Sequence, residues 1–320
     1  MLKTVICSAM LIAASLAPAR AEFPDRPLRI ISGSAAGGSN DFIARFVADT
    51  VGGVFGQRIV VENRSGVNGV IGAEAVVNSP ADGYTAFVCP MSTMSITPQL
   101  IGPPMRVDPG VDLAPVAMVG LSSYGVVVRA GSSYQNLADL IAAARARPGQ
   151  LTFGSPGVGA AQHLGGELLK QLTGTDMVHV AFRGAAPAMM EILAGRLDFS
   201  LTNLGDAVRQ IQGGDLRLLA IADDTPSPIF PNAPTVAQTV PGFEVVGWFG
   251  ICARREIPAA ALARWNSAIR QVVADPELRQ RLADGGISPR YEDAETFARR
   301  IAHDRENWLR VIRAVNIRAE

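Results

Sequence analysis

Two glycine-spaced segments hold the residues best placed to do chemistry. The first is RIISGSAAGGSND, Arg29 to Asp41, in which Gly33, Gly37 and Gly38 follow an apolar run from Leu28 to Ile31 and open onto Ser39, Asn40 and Asp41. The second is GSPGVGAAQHL, where Gly154, Gly157 and Gly159 follow Leu151 to Phe153 and open a helical pattern from Ala160 to Leu172. A strand that feeds a helix through glycines leaves first-turn N–H groups without intrahelical acceptors, at the positive end of the helix dipole. The chemistry such a turn supports is the binding of an anion. Neither segment carries Lys between its glycines, nor any Arg after Arg29, so recognition rests on backbone amides, Ser and Thr hydroxyls and helix dipoles. A hydrogen bond to a charged group contributes roughly 1.5–3 kcal/mol, and micromolar binding needs about 8 kcal/mol net of immobilisation. Roughly four or five such bonds with some burial suffice, and no catalytic group is required.

The candidate ligand-binding residues follow from this. In the first turn they are Ser34, Ala36, Gly37, Gly38, Ser39 and Asp41. Ser39 also suits a helix N-cap, and Asp41, in a first helical turn, is read as orienting loop amides or water without touching the anion itself. In the second turn they are Ser155, Gly157 and Gly159, with His163 on the following helix as a supporting or buried histidine. Ser92 and Thr93 sit in a polar loop after the third strand, and Phe182, Arg183 and Gly184 form a turn cluster. Arg183 either meets a distal carboxylate or lies on the surface. Thr202, Asn203 and Asp206 close a strand end of the kind where open α/β sheets bind ligands, and are expected to set specificity for the far end of the ligand.

The chain around these residues has 320 positions, 48% of them hydrophobic and 18% charged, which suits substantial buried cores and about two domains. Residues 1–21 read as a secretory signal peptide: Lys3 supplies a positive start, Val5 to Leu16 an apolar stretch, and Ala19-Arg20-Ala21 a small-x-small cleavage site. The apolar stretch is too short to span a bilayer, which needs about 20 residues. Removing Lys3 and Arg20 from the 29 basic side chains leaves 27 against 29 acidic ones. That balance, with no basic run, makes nucleic acid a poor partner. Cys89 and Cys252 each end an apolar strand-like run; an exported protein can pair them, although buried free thiols are the favoured reading. The three histidines, His163, His179 and His303, have no metal-ligand spacing, so no metal site is proposed.

The elements that must position the two turns alternate between strands and helices. A helix with Phe42, Ile43, Phe46, Val47 and Val51 on one face is expected to stop at Gly52-Gly53; strands follow at Arg58 to Glu62 and Tyr84 to Cys89. A second series begins after Tyr124 to Val128 and repeats the strand–glycine–helix logic about 120 residues on. Such alternation predicts Rossmann-like βαβ units and a mainly parallel sheet. After a strand from Val245 to Ala253 the remainder reads as helical: Ala259 to Ala274, Pro276 to Ala283 and Ala294 to about Ile312, the last with Phe297, Ile301, Trp308 and Ile312 on one stripe. These helices need a sheet to cover, so the fold is read as discontinuous. Residues 22–124 and 247–320 form one lobe and 125–246 the other, with hinge crossings near 124–126 and 245–248.

The segments SAAGGSND, VVENRSGVNGVIGAEAV followed by ADGYT, FGSPGVGAAQHLGGELL, VAFRGAAPAMMEILAGRLD, LRLLAIA and PNAPTVAQTVPGFEVVGWFGICA, in this order, resemble the Bug or TctC family, the substrate-binding receptors of tripartite tricarboxylate transport systems. The resemblance implies a periplasmic binding protein of type II fold: α/β, with two Rossmann-like lobes around a cleft that closes on a small carboxylate. It implies that one carboxylate sits between Ser34 to Asp41 and Ser155 to His163, partly through bridging waters, and that the implied partners are this ligand and membrane permease subunits. The implied receptor is a monomer that needs no cofactor. Where family members often carry Pro and Phe, this chain has Gly33 and Ser34; where they often carry Asn it has Thr97; an Asp often follows the strand that here ends in Thr202. These departures face the ligand, so dicarboxylates, tricarboxylates, acidic amino acids and aromatic acids all stay open.

A competing reading is an NAD(P)-dependent oxidoreductase. Gly33-x-Ala35-x-x-Gly38 approximates the dinucleotide fingerprint, and Glu62 ends the second strand about 20 residues on. Against it stand the missing second glycine, the export signal and the lack of a proton donor beside the turn. A hydrolase is weaker still, since no G-x-S-x-G elbow occurs.

Overall fold

The computed structural model describes residues 23–101, 105–223, 227 and 229–315. The signal-peptide expectation and part of the proline-rich loop after Asp223 lie outside these residues. The chain opens with β1 (Leu28–Ser32), α1 (Ser39–Phe55), β2 (Ile59–Asn63), α2 (Val70–Val77) and β3 (Thr85–Pro90). The long strand β4 (Leu113–Arg129) leads into α3 (Leu137–Ala146), β5 (Thr152–Ser155), α4 (Ala161–Thr173) and β6 (Val178–Ala181). Next come α5 (Ala185–Leu193), β7 (Phe199–Asn203), α6 (Leu204–Gln212) and β8 (Leu216–Ile221). The return is β9 (Val246–Arg254), α7 (Ala259–Ala274), α8 (Pro276–Asp284), β10 (Ile287–Glu292) and α9 (Ala294–Val315).

Strands run in the order β2-β1-β3-β9-β4-β7-β5-β6, with β8 and β10 also pairing with β4. The mixed sheet curls into two α/β lobes because β4 belongs to both. Its first part, Leu113 to Ser123, pairs antiparallel with β9, while Tyr124 to Val127 pairs antiparallel with β7. The expected mainly parallel sheet is therefore corrected: β1 pairs parallel with β2 and β3, and β5 with β6 and β7, but every pairing made by β4 and β9 is antiparallel. The strand–glycine–helix units are parallel because a helix separates their strands; β4 runs through both lobes with β9 alongside its first part, and no such crossover constrains them.

Local sequence explains most helix limits, with one correction. Helix α1 runs past Gly52-Gly53 to Phe55 and stops at Gly56, whose φ of 63° lets its amide close back onto the helix. Phe55 carries the helix through the glycines by packing edge-on to Trp265, ring centroids 5.1 Å apart. Trp265 is fully buried and donates Nε1–H to the Gly83 carbonyl at 2.9 Å. It joins Ile43, Phe46, Val47 and Ile269 in one core over Ile30 and Val88, so the C-terminal helices do return to the N-terminal strands. Burying a side chain of that size contributes about 3 kcal/mol.

Two further corrections concern the return segment. Residues 287–292 form β10, an antiparallel partner of β4 with a register break after Pro289; Pro at a bulged edge strand hides the strand pattern. Cys89 and Cys252 are disulfide-bonded, with Cα atoms 5.8 Å apart, which overturns the free-thiol reading. β3 and β9 lie side by side with Phe87 opposite Cys252 and Cys89 opposite Gly250, so both sulfurs share one face. Among the described residues no helix is long and apolar enough to cross a membrane.

Candidate functional site

A cavity of about 560 Å³ opens between the lobes, and both glycine turns border it. Such a volume falls in the range of small-ligand sites. From the first turn it meets Ser34, Gly38 and Ser39; from the second, Gly157. Ser92, Thr93 and the Phe182-Arg183-Gly184 cluster form further walls, and Asn203 and Asp206 close one side. The other residues singled out from sequence do not line the cavity. Ala36 and Gly37 are exposed, Asp41 lies beneath the first turn, Ser155, Gly159 and His163 lie beneath the second, and Thr202 is buried within β7.

Asp41 clamps the first turn. Its carboxylate accepts the Gly37 amide at 3.1 Å, Asn63 Nδ2 at 3.0 Å and Arg45 Nε at 2.9 Å, while the same Asn63 Nδ2 also donates to the Ser34 carbonyl at 3.1 Å. Burial on its own would raise the Asp41 pKa; the donors from Arg45, Asn63 and Gly37 outweigh it and hold the carboxyl below its ordinary value. At Gly33 the turn packs directly on backbone, since a Cβ there would stand 2.7 Å from Gly69 Cα.

The N-terminus of α1 already holds a carboxyl group, and it belongs to the protein. Asp206 Oδ1 accepts both the Ser39 amide, at 2.6 Å, and the Ser39 hydroxyl, at 2.7 Å. Asn203 Nδ2 donates to Asp206 Oδ2 at 3.3 Å and its own Oδ1 accepts from Ser122 Oγ at 2.7 Å. Burial pushes the Asp206 carboxyl upward, resisted by the hydrogen bonds of Ser39 and Asn203.

The second turn is underpinned by two histidines. Ser155 Oγ lies 2.6 Å from His179 Nε2 and accepts the Gly157 amide at 3.2 Å. His163 Nδ1 accepts the Gly159 amide at 3.2 Å. The two imidazoles stack with centroids 3.8 Å apart and planes 18° from parallel. Burial lowers His163 to about 4 with a small push from Lys170, and burial, His163 and Lys170 lower His179 to about 3, so both rings are neutral near pH 7.

Hydrogen bonds across the opening join the lobes. Ser92 Oγ accepts the Ala161 amide at 3.1 Å, the first-turn donor of α4. Asn68 Nδ2 donates to the Gly159 carbonyl at 3.1 Å and to Thr97 Oγ1 at 2.6 Å, while its own carbonyl accepts from Thr93 Oγ1 at 2.8 Å. The loop expected around Ser92 and Thr93 is a buried π-helical turn, Ser92–Ile96. Lining residues that sequence reasoning passed over include Asn68, Gln162, Tyr124, Trp248 and Phe249. Tyr124 opens the part of β4 that pairs with β7, and Trp248 lies near the start of β9; aromatic residues beside the expected lobe boundaries were the available signal. Glu62, at the dinucleotide spacing, is absent from the lining and pairs with Arg64 at 3.0 Å. Among the described residues no group of three His, Cys, Asp or Glu side chains could hold a metal ion.

Two α/β lobes joined through the shared strand β4, with paired strand-to-helix turns facing a common cavity, define the fold of periplasmic binding proteins. The chain belongs to the TctC family, described as tripartite tricarboxylate transporter family receptors, whose model matches residues 43–317. It is 31% identical over 292 residues to the protein encoded in the tcbD–tcbE intergenic region of Pseudomonas sp. strain P51, covering 91% of this chain and 86% of that one. It is also 31% identical to BugT of Bordetella pertussis over 93% of this chain and 92% of its relative. Among solved structures, an R. palustris protein with adipate superposes with a TM-score of 0.90 at 28% identity, covering 93% of this chain and 99% of that one. MatC from Rhodopseudomonas palustris, with bound malate, does so with a TM-score of 0.84 at 27% identity, covering 91% and 100%.

Proposed function

We propose that this protein is a periplasmic solute receptor that captures a small carboxylate by lobe closure and delivers it to a tripartite tricarboxylate-type membrane permease. The observation that carries the reading is the meeting of the two glycine turns, from opposite lobes, at one cavity. Family membership supports the receptor role, and the adipate and malate held by its structural relatives support a carboxylate ligand. In this reading residues 22–124 and 247–320 move as one body against residues 125–246, flexing near 124–126 and 245–248, and the chain acts as a monomer. The ligand carboxylate meets the glycine turns that precede α1 and α4, with bridging waters, and Ser34, Gly38, Gly157 and Arg183 are its nearest neighbours. A bound ligand bridges both lobes and shifts the open–closed equilibrium by its differential affinity for the closed form.

Titration calorimetry against a panel of mono-, di- and tricarboxylates, followed by small-angle scattering at saturation, tests this. A saturable heat with a decrease in radius of gyration is expected. No heat with any carboxylate, or an unchanged radius at saturation, rejects carboxylate capture or closure respectively.

A further inference from the structure

The charges around the cavity are unevenly placed. Among the described residues lining it, Arg183 is the one cation and Asp206 the one acid. The Phe182–Gly184 segment that carries the exposed Arg183 stands beside both glycine turns: a Cβ added at Gly184 would lie 3.5 Å from that of Ala35, and one at Gly157 would lie 3.5 Å from the Phe182 carbonyl. Arg183 and the second turn therefore share one pole, with Ala35 of the first turn at its edge.

Beyond Arg183 the cavity offers little to a second negative charge. On one side Asp206 has taken the Ser39 amide and hydroxyl for itself, so neither donor is open to a second ligand carboxylate. On the other side the lining turns apolar. Val67, Leu100 and Ile101 of one lobe face Val158 of the other, brought together because Asn68, Thr97 and Leu100 all crowd Gly159. Val67, Val158 and Ile101 are 55%, 43% and 38% exposed, a high figure for β-branched side chains bordering a cleft. Together they make an apolar lip that spans both lobes, and an apolar group resting on it would remove that surface from water. Phe182, Trp248 and Phe249 add aromatic surface within.

We propose that the site takes a monocarboxylate with an apolar body, aliphatic or aromatic, in preference to a di- or tricarboxylate: the acid group at the Arg183 pole, the body running to the Val67–Val158 lip. This deepens the carboxylate-receptor reading and rests on it. Hexanoate and adipate share a six-carbon chain and differ by one carboxylate, so the pair isolates the second charge. Titration calorimetry of the purified protein with hexanoate, phenylacetate, adipate, malate and citrate is expected to give at least tenfold tighter binding of the first two. Any preference for hexanoate over adipate supports the assignment. Adipate, malate or citrate binding as tightly as hexanoate overturns it and leaves the carboxylate receptor intact, whereas binding of none of the five rejects both. Val158→Lys, at an exposed position, places a cation on the lip and is expected to move the adipate-to-hexanoate affinity ratio at least tenfold toward adipate; an unchanged ratio rejects the lip as the seat of the ligand's far end.

Discussion

Ser39 and Asp206, 167 residues apart in sequence, are joined across the cleft by two hydrogen bonds of 2.6 and 2.7 Å to a single carboxylate oxygen. An internal acid thus holds the α1 N-terminus, the feature that otherwise would attract a ligand anion. The contact ties the lobes together and occupies two donors that a ligand anion would otherwise use. Asp206→Asn keeps the shape and leaves Ser39 a weaker, neutral acceptor. Malate affinity is expected to rise by about tenfold, on the scale of one charge-assisted hydrogen bond, with hexanoate affinity nearly unchanged. Calorimetry of the variant with both acids checks this, and a fall in malate affinity would contradict it.

The stacked pair His163 and His179 makes stability depend on acid. Both are depressed, to about 4 and about 3, chiefly by burial, while an unfolded histidine titrates near 6.5. Between those values the unfolded chain binds more protons than the folded one, so stability is complete above pH 6.5 and falls as pH drops toward 4. His163, the more buried ring, contributes a loss on the order of 3 kcal/mol over that window. Asp206 and Asp304, both raised by burial, act in the opposite sense and offset part of it. Urea midpoints measured from pH 7.5 to 4.5 should fall for the wild type, and the slope should flatten in the double variant His163→Gln, His179→Phe.

How much of this was legible beforehand depends on how local each signal is. Both glycine turns, the α1 and α9 apolar stripes and the return of the C-terminal helices are written in runs of neighbouring residues, where periodicity and turn chemistry act directly. What sequence left dark is pairing at long range. β4 extends from Leu113 although only Tyr124 to Val128 reads as a strand, because β9 and β10 flank its first part and supply ladder partners that no local pattern announces. Asp206 was legible as a cavity residue but not as the partner of Ser39, and Asn68 hides in a glycine-rich stretch until Gly159 is folded against it.

Cys89 and Cys252 bring the same lesson to stability. Their bond joins β3 to β9 across a separation of 163 residues and thereby ties the returning segment to the first three strands. Closing a loop of that length restricts the unfolded chain, and loss of such a bridge typically costs about 2–4 kcal/mol. The double variant Cys89→Ala, Cys252→Ala should lose that amount in denaturant titration while keeping ligand affinity within a factor of about two, since neither residue lines the cavity. Adding reductant to the wild type under partly denaturing conditions should reproduce the shift, and should do nothing to the variant.

Gly33 tests whether the first turn is held by shape as well as by Asp41. Its Cα sits against the α2 approach so closely that a Cβ would stand 2.7 Å from Gly69 Cα and 2.9 Å from the Gly69 carbonyl. Those neighbours are backbone and cannot swing aside. Gly69 itself has a φ of 92° and a Cβ there would crowd the Thr93 side chain at 2.6 Å, so displacement of Gly69 would disturb the Thr93–Asn68–Gly159 chain of contacts that joins the lobes. Overpacking of this kind destabilises by about 1–3 kcal/mol. Gly33→Ala is therefore expected to lower the unfolding midpoint and to weaken carboxylate binding by tenfold or more, because the first turn and the opening contacts move together. Gly53→Ala, where a Cβ would meet nothing within 4 Å inside α1, is the matched control and should leave affinity unchanged while raising stability by about 0.5–1 kcal/mol. Equal affinities for the two variants would mean that the turn tolerates the extra methyl and that Asp41 alone sets its conformation.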